Sequence, residues 1–487
     1  MIKYLLLLWP AAAFAGDYPA STFGIRSDGV TLNTRSIQYA IDYIHDRGGG
    51  RLVFDVGRYL TGSIHLKSDV GLELKEGAVL LGSLNPFDYD KDGHTDKSRF
   101  TALLLADGQR NISISGRGII DGQGREVAAN IVALAHSGII RDPLVSDRPN
   151  EANRPMLIYF RSCSGVTVKD VTLANAASWV ETYDQCSGLT IDSIRVDSKA
   201  YWNNDGIDIV DCSQVRVTGC FVDAADDGIC LKSHDSASAC TDVLIRDCTI
   251  RSSANAIKFG TVSRGGFRHI RILHNSVYNT YRSALALEAV DGAAIQDVVA
   301  DSLTAVNTGN ALFIRIGARS GSRQSSLAHV SIRHVSIQIA AGKADSGYPY
   351  EGPIEDQPRN ISPIVLTGLP GAFLQDIRLE DVTVRYPGGG NPFIAHRNPA
   401  EPDSVPELPA NYPEFSMFRE LPAWGLYIRH ARGIQVKNLR LYCAAKDYRT
   451  AIVLDDVEGA SWEATVVKEP GNKKAFFLRG SSGVVMK

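Results

Sequence analysis

One phrase recurs along the middle of the chain at a nearly constant interval. "CSGVTVKDVTLANAASW" begins at Cys163, "CSGLTIDSIRVDSKAYW" at Cys186 and "CSQVRVTGCFVDAADDG" at Cys212. "CTDVLIRDCTIRSSANA" follows at Cys240 and "FRHIRILHNSVYNTYRS" at Phe267, so the steps are 23, 26, 28 and 27 residues. Each copy carries a short alternating strand (Val166, Val168), a turn, a second strand (Val171, Leu173), a longer loop and a third strand. Such a unit cannot bury its apolar face alone; stacked on its neighbours it builds a continuous core. The period and the strand-only content predict an all-β, right-handed parallel β-helix. A leucine-rich repeat would need a regular Leu/Asn consensus, and a βαβ sheet would need helices between the strands; neither is present.

The repeat extends in both directions. "NISISGRGIIDGQG" (Asn111 to Gly124) reads as an earlier coil, and "GNALFIRIG", "LAHVSIRHVSIQI" and "LQDIRLEDVTVRY" read as later ones. Near the front, "NTRSIQYAIDYIHDRGGG" spaces Ile37, Ala40, Ile41 and Ile44 on one helical face. Asn33 or Thr34 is placed to cap that helix and glycines to stop it, and it is expected to cover the N-terminal end of the stack. Residues 16–487 are thus expected to form one domain, with loop-rich insertions at about 341–424.

Several classes of function are disfavoured at this level. A formal net charge of −3 offers no basic face for nucleic acid. No long apolar run follows the N-terminus, so no membrane span is expected. Residues 1–15 combine one lysine, the apolar "YLLLLWPAA" and small residues at Ala13 and Ala15, the pattern of a secretory signal peptide cut after Ala15. The protein is therefore expected to be exported, to a periplasmic or extracellular location. Eight cysteines lack the tight pairing of a zinc site, and their place in the repeat assigns them to buried stacks.

The chemistry gathers in the third strands. Aligning "NDGIDIV", "DDGICLK", "ANAIKFG", "RSALALE" and "GNALFIR" puts Asp205, Asp227, Asn255, Ser283 and Asn310 in one column. Neighbouring strands lie about 4.8 Å apart, so Asp205 and Asp227 are predicted side by side on the outer surface. Asp226 lies over Asn204 in the adjoining column. Three carboxylates so close repel one another, and at least one pKa should rise. A raised carboxyl can donate a proton while an ionised neighbour activates water, the two roles glycosidic hydrolysis requires. Turn chemistry is the plain alternative, since Asp-Gly is a common turn pair. A Ca²⁺ site is another, since hard cations favour clustered carboxylate oxygens.

At these residues the chain resembles glycoside hydrolase family 28, the polygalacturonase family of pectin-lyase-like β-helix enzymes. "NND" (Asn203, Asn204, Asp205) looks like the family's Asn-Thr-Asp motif, and "ADDG" supplies Asp226 and Asp227 for its Asp-Asp pair. "FGIRSDGVTLNTRSIQYAID", "GIIDGQG" and "RPMLIYFRSCSGVTVKDVTLANAASW" are similar to its N-terminal and middle blocks. The resemblance implies a hydrolase of pectic or related acidic polysaccharide that needs no cofactor and no metal. It implies Asp226 as general acid, with Asp205 and Asp227 holding and deprotonating water, so that the anomeric carbon inverts. Two departures stand out. Asn255 in "SANAIKFGT" occupies the family's histidine position, and "RSALALE" lacks its Arg-Ile-Lys pair, which binds the substrate carboxylate. Asn203, Asn255, Lys232 and Lys258 are therefore the expected substrate-binding residues, with His234 a weaker candidate. Tyr348, Tyr350, Tyr412, Phe415, Phe418 and Trp424, in the late loops, are candidates either for stacking on sugar or for packing on the coil. Loops closing one end of a groove would favour exo-action. Two rivals share the fold class: a Ca²⁺-dependent polysaccharide lyase and a non-catalytic glycan-binding β-helix.

Overall fold

The computed structural model describes residues 16–90, 101–142, 148–321, 324–344, 362–390, 405–471 and 474–487. The repeats stack in register through parallel ladders. Ser164 pairs with Ser187, Ser187 with Ser213 and Ser213 with Thr241, and Cys240 pairs with Phe267. The chain makes three strands per coil in this region, each pairing with the equivalent strand one coil on: Glu181–Asp184 with Ile207–Val210, Ser187–Asp192 with Ser213–Thr218, and Arg195–Ser198 with Phe221–Ala224. This is the right-handed parallel β-helix the period predicts.

Strand alternation builds the core. Val166, Leu189, Val215, Val243, Ile270 and Val298 stack in one interior column, all buried. At the corner after the first strand of each coil the backbone turns left-handed, at Asp170, Ser193, Gly219, Asp247, His274, Ser302, His334, Asp381 and Asn438. Gly, Asn, Asp and His, which tolerate that conformation best, fill seven of these nine corners and serine the other two.

Helix α1 (Thr34–Asp46) buries Ile37, Ala40, Ile41 and Ile44 as its spacing predicts, and packs on the first coil beside Gly50–Phe54. Asn33 occupies the N-cap position, but its side chain does not cap the helix. It is drawn instead to Arg26 and Thr31, donating to both carbonyls at 2.9 Å and accepting from the Arg26 amide at 2.8 Å. Thr34 is the first helical residue, and its hydroxyl accepts from Gly62 N at 2.8 Å. A second helix, α2 (Gly124–His136), follows the early coil and buries Val127, Ala128 and Ile131. The sequence reading did not anticipate it. Its apolar stripe covers little more than one turn, too short to outweigh the surrounding strand pattern.

Within 341–424, the strands Ile364–Thr367 and Leu374–Tyr386 continue the stack. The 405–421 segment then crosses the outer face. Val405, Phe415, Phe418 and Leu421 pack on Phe313, Val365, Tyr427 and Val453, which point outward from four successive third strands. Phe415, Phe418 and Trp424 are buried, so they pack on the coil; Tyr412 is half exposed. Tyr348 and Tyr350 lie outside the described residues, as do residues 1–15. No helix among the described residues is long and apolar enough to cross a membrane.

Candidate active site

Ile207, Ile229, Ile257 and Leu285 pair in register along the third sheet. Counting two residues back from each places Asp205, Asp227, Asn255 and Ser283 in one column, and Ser283 pairs with Asn310. Gly206 N donates to the Asp227 carbonyl at 2.8 Å and Gly228 N to that of Asn255 at 2.8 Å, which fixes the step between coils. A Cβ on either glycine would meet backbone oxygen of the next coil, 2.4 Å away at Gly206 and 2.7 Å at Gly228. The repeated "DG" is thus a packing requirement as well as a place for an acid.

Oxygens of Asp205, Asp226 and Asp227 lie within 4.8 Å of one another. Contrary to the expected outer-surface placement, Asp205 and Asp227 are buried, 5% and 4% exposed. The loops and long side chains around them exclude water, which sharpens every charge interaction.

The two lysines are engaged by the acids. Lys232 Nζ donates to Asp205 Oδ2 at 2.9 Å and to Asp208 Oδ1, and sits 3.8 Å from the Trp179 ring centroid. Lys258 Nζ donates to Asp227 Oδ2 at 3.0 Å and Tyr412 Oη at 3.2 Å, and lies 3.9 Å from Glu288 Oε2. Asn255 donates to Asp227 Oδ1 twice, from its backbone N at 3.0 Å and its side-chain Nδ2 at 2.9 Å. Sequence reasoning offered Lys232, Lys258 and Asn255 to the substrate. The structure brings all three to the acids, since a buried carboxylate must find its partners nearby. The ammonium groups also supply the positive charge that a cation would otherwise bring to the cluster.

The resulting proton affinities diverge. Burial raises Asp227, but the Lys258 ammonium and the Asn255 hydrogen bonds outweigh it and hold its carboxyl below the usual range. Burial and then the neighbouring Asp227 charge raise Asp226. Asp226 has weaker partners: Oδ1 accepts from Asp227 N at 3.0 Å and Oδ2 from Asn203 Nδ2 at 3.4 Å. Asp205 is raised well above its usual value by burial, because it shares one ammonium with Asp208 and faces Asp226 and Asp227. Asp208 itself is pushed up to about 6. Lys232 stays charged between the two carboxyls.

Asn203 sits at the rim. Its Oδ1 accepts from Arg148 at 2.7 Å and Arg154 at 2.8 Å, which leaves Nδ2 to face Asp226. His234 is not drawn into the cluster. Its amide donates to Asp211 at 2.8 Å, and burial lowers its ring to about 4, so the ring is neutral. Sequence reasoning missed Asp208, Arg154, Arg282 and Glu288. Asp208 was detectable, since it alternates with the inward Ile207 and Ile209, and so were Arg282 and Glu288, the two ends of the aligned "RSALALE"; Arg154 depends on contacts between distant segments.

Residues 59–241 match the family model for glycosyl hydrolases family 28. A probable polygalacturonase of Vitis vinifera is 25% identical over 313 residues, covering 61% of this chain and 57% of that protein. An exo-poly-alpha-D-galacturonosidase of Dickeya chrysanthemi is 28% identical over 244 residues, covering 42% and 40%. The chain thus spans about half the length of these curated relatives. The family 28 exopolygalacturonase of Yersinia enterocolitica shares the fold, with a TM-score of 0.64 at 17% identity over 96% of this chain and 78% of that one.

Proposed function

This chain belongs to glycoside hydrolase family 28, and from that premise we propose that it hydrolyses a glycosidic bond in a pectic or related acidic polysaccharide or oligosaccharide. The observation that carries the reading is the asymmetry of two adjacent acids: Asp227 is held by Lys258 and Asn255 and its carboxyl lies below the usual range, whereas Asp226 meets two amide donors and burial raises its carboxyl. Asp226 protonates the leaving oxygen. Asp227, ionised beside Lys258, takes the proton of the attacking water, and Asp205 helps to hold that water. General acid–base steps of this kind contribute roughly 10²–10⁴-fold each.

Single displacement needs room for a water between acid and base, with carboxyl groups roughly 6.5–9.5 Å apart. The nearest oxygens here lie within 4.8 Å. The Asp227 amide draws the Asp226 carboxyl inward. On this reading, substrate binding releases that hydrogen bond and Asp226 turns toward the glycosidic oxygen. Proton NMR of the first-formed product is the direct test: an inverted anomer is expected, whereas a retained one would make an aspartate the nucleophile. Unsaturated uronate among the products, with activity lost to chelator, would point to the lyase instead.

The 405–421 segment supports action on chain ends. It covers the outer face beyond the acids and brings Tyr412 to Lys258. Release of one short product from the start of a digest of polygalacturonate is expected; an early spread of lengths would mean endo-action. Export through residues 1–15 completes the proposal, and N-terminal sequencing of protein from the producing cell tests it.

A further inference from the structure

An acidic substrate needs a cation, and the lysines nearest the acids are occupied. Lys232 serves Asp205 and Asp208, and Lys258 serves Asp227. The register identifies another. Counting three residues back from Ile207, Ile229, Ile257 and Leu285 gives Asn204, Asp226, Ala254 and Arg282 in one column. Arg282 N donates to the Ala254 carbonyl at 2.8 Å, which anchors it there. Arg282 thus stands two strands beyond the proposed acid, roughly 9–10 Å along the sheet, with Ala254 between them in the column. Its charge acts on both Asp226 and Asp227, lowering each.

The guanidinium is partly served. Nη2 pairs with Glu414 Oε2 at 3.2 Å, and Glu414 arrives on the 405–421 segment. Nε is buried and has no hydrogen-bond partner. An unsatisfied buried donor on a charged group is costly. Arginine presents Nε–H and an Nη–H side by side, a fork that matches both oxygens of a carboxylate. Glu414 takes Nη2 and leaves Nε unmet.

We infer that Arg282 is a specificity-determining residue that receives the carboxylate of the substrate in exchange for Glu414; the inference rests on the acidic-substrate reading above. The exchange replaces one carboxylate by another, so the balance of buried charge does not change. An esterified or neutral sugar has no such group and cannot displace Glu414.

Calorimetric titration separates the possibilities, using trigalacturonate and its methyl ester as probes and the full chain carrying Asp226→Asn to prevent turnover. Adding Arg282→Gln is expected to weaken trigalacturonate by about tenfold or more, the worth of a charge-assisted pair, and leave the ester within about twofold. Adding Glu414→Gln, on a surface segment, is expected to tighten trigalacturonate and leave the ester unchanged. Equal weakening of both probes by Arg282→Gln would overturn the assignment. So would unchanged acid affinity in the Glu414→Gln protein, or a loss of acid preference that follows Arg148→Gln and not Arg282→Gln. Absence of uronate binding by the folded Asp226→Asn protein would overturn the acidic-substrate reading itself, whereas acid binding indifferent to Arg282 would remove only this residue's role.

Discussion

The third sheet buries carboxyl groups on both its faces, and the two faces treat them differently. On the inner face Glu181 pairs in register with Ile158 and Ile207, deep in the core. Its partner is the Tyr183 hydroxyl, which donates at 2.6 Å, and Oε1 has none. Burial pushes Glu181 up to about 8, so it keeps its proton through neutrality. On the outer face Asp227 is as deeply buried, yet Lys258 and Asn255 hold it ionised. Burial alone stores a proton; a counter-charge on the next coil releases it. The sheet becomes reactive where a lysine follows an aspartate one coil later.

The largest effect should come from removing the carboxyl that this contrast makes the acid, Asp226. Asp226→Asn is expected to lower kcat by at least about 10²-fold while the fold persists. Unchanged turnover in a folded variant on a verified substrate would refute the assignment. Next is the counter-charge itself. Lys258→Met strands the Asp227 charge and is expected to cost about 3–5 kcal/mol in chemical denaturation, as breaking a buried pair does. Asp227 should then bind its proton more readily, moving the acid limb of kcat/KM to higher pH; an unmoved limb would show that Asp227 is not the base.

The inner face gives a smaller effect of opposite sign. Glu181 has a raised pKa in the folded state. Its contribution to stability is therefore complete below the usual glutamate value near 4.5 and falls as pH rises toward about 8. Glu181→Gln keeps the Tyr183 contact and removes the titration. It should be most stabilising near pH 8, by roughly 1–3 kcal/mol, and nearly neutral at pH 4. A thermal-shift series across that range checks the slope, and a pH-independent difference would mean that Glu181 is ionised or solvated. Smallest is Tyr183→Phe, which removes a hydroxyl donor. It should cost about 0.5–1.5 kcal/mol in the same assay and leave kcat unchanged, since the inner face does not touch substrate.

The outer half of this contrast was legible in the sequence, whereas Glu181 on the inner face was not singled out. The repeat period and strand alternation gave the coil, and the register of the "DG" phrases gave the aspartate column before any coordinates; the left-handed corner column went unread. Alternation also marked Asp208 as outward-facing, although that mark went unused. The direction of the lysines was not legible. The nearness of Lys232 and Lys258 to the acids was legible; their pairing with Asp205, Asp208 and Asp227 follows from burial, which depends on the loops laid over the face. Glu414 reaches Arg282 across 132 positions of sequence, beyond any local pattern.

The cysteines have a consequence of a different kind. All eight are free and buried, and Cys186, Cys212 and Cys240 each direct a thiol to a carbonyl of the preceding coil. A thiol so enclosed cannot meet a bulky alkylating reagent until its own turn of the solenoid opens. With Cys163 they tag four successive turns, and Cys443 tags the far end. Timed alkylation with peptide mass readout would therefore record the order in which the solenoid comes apart, using reporters that the chain already carries.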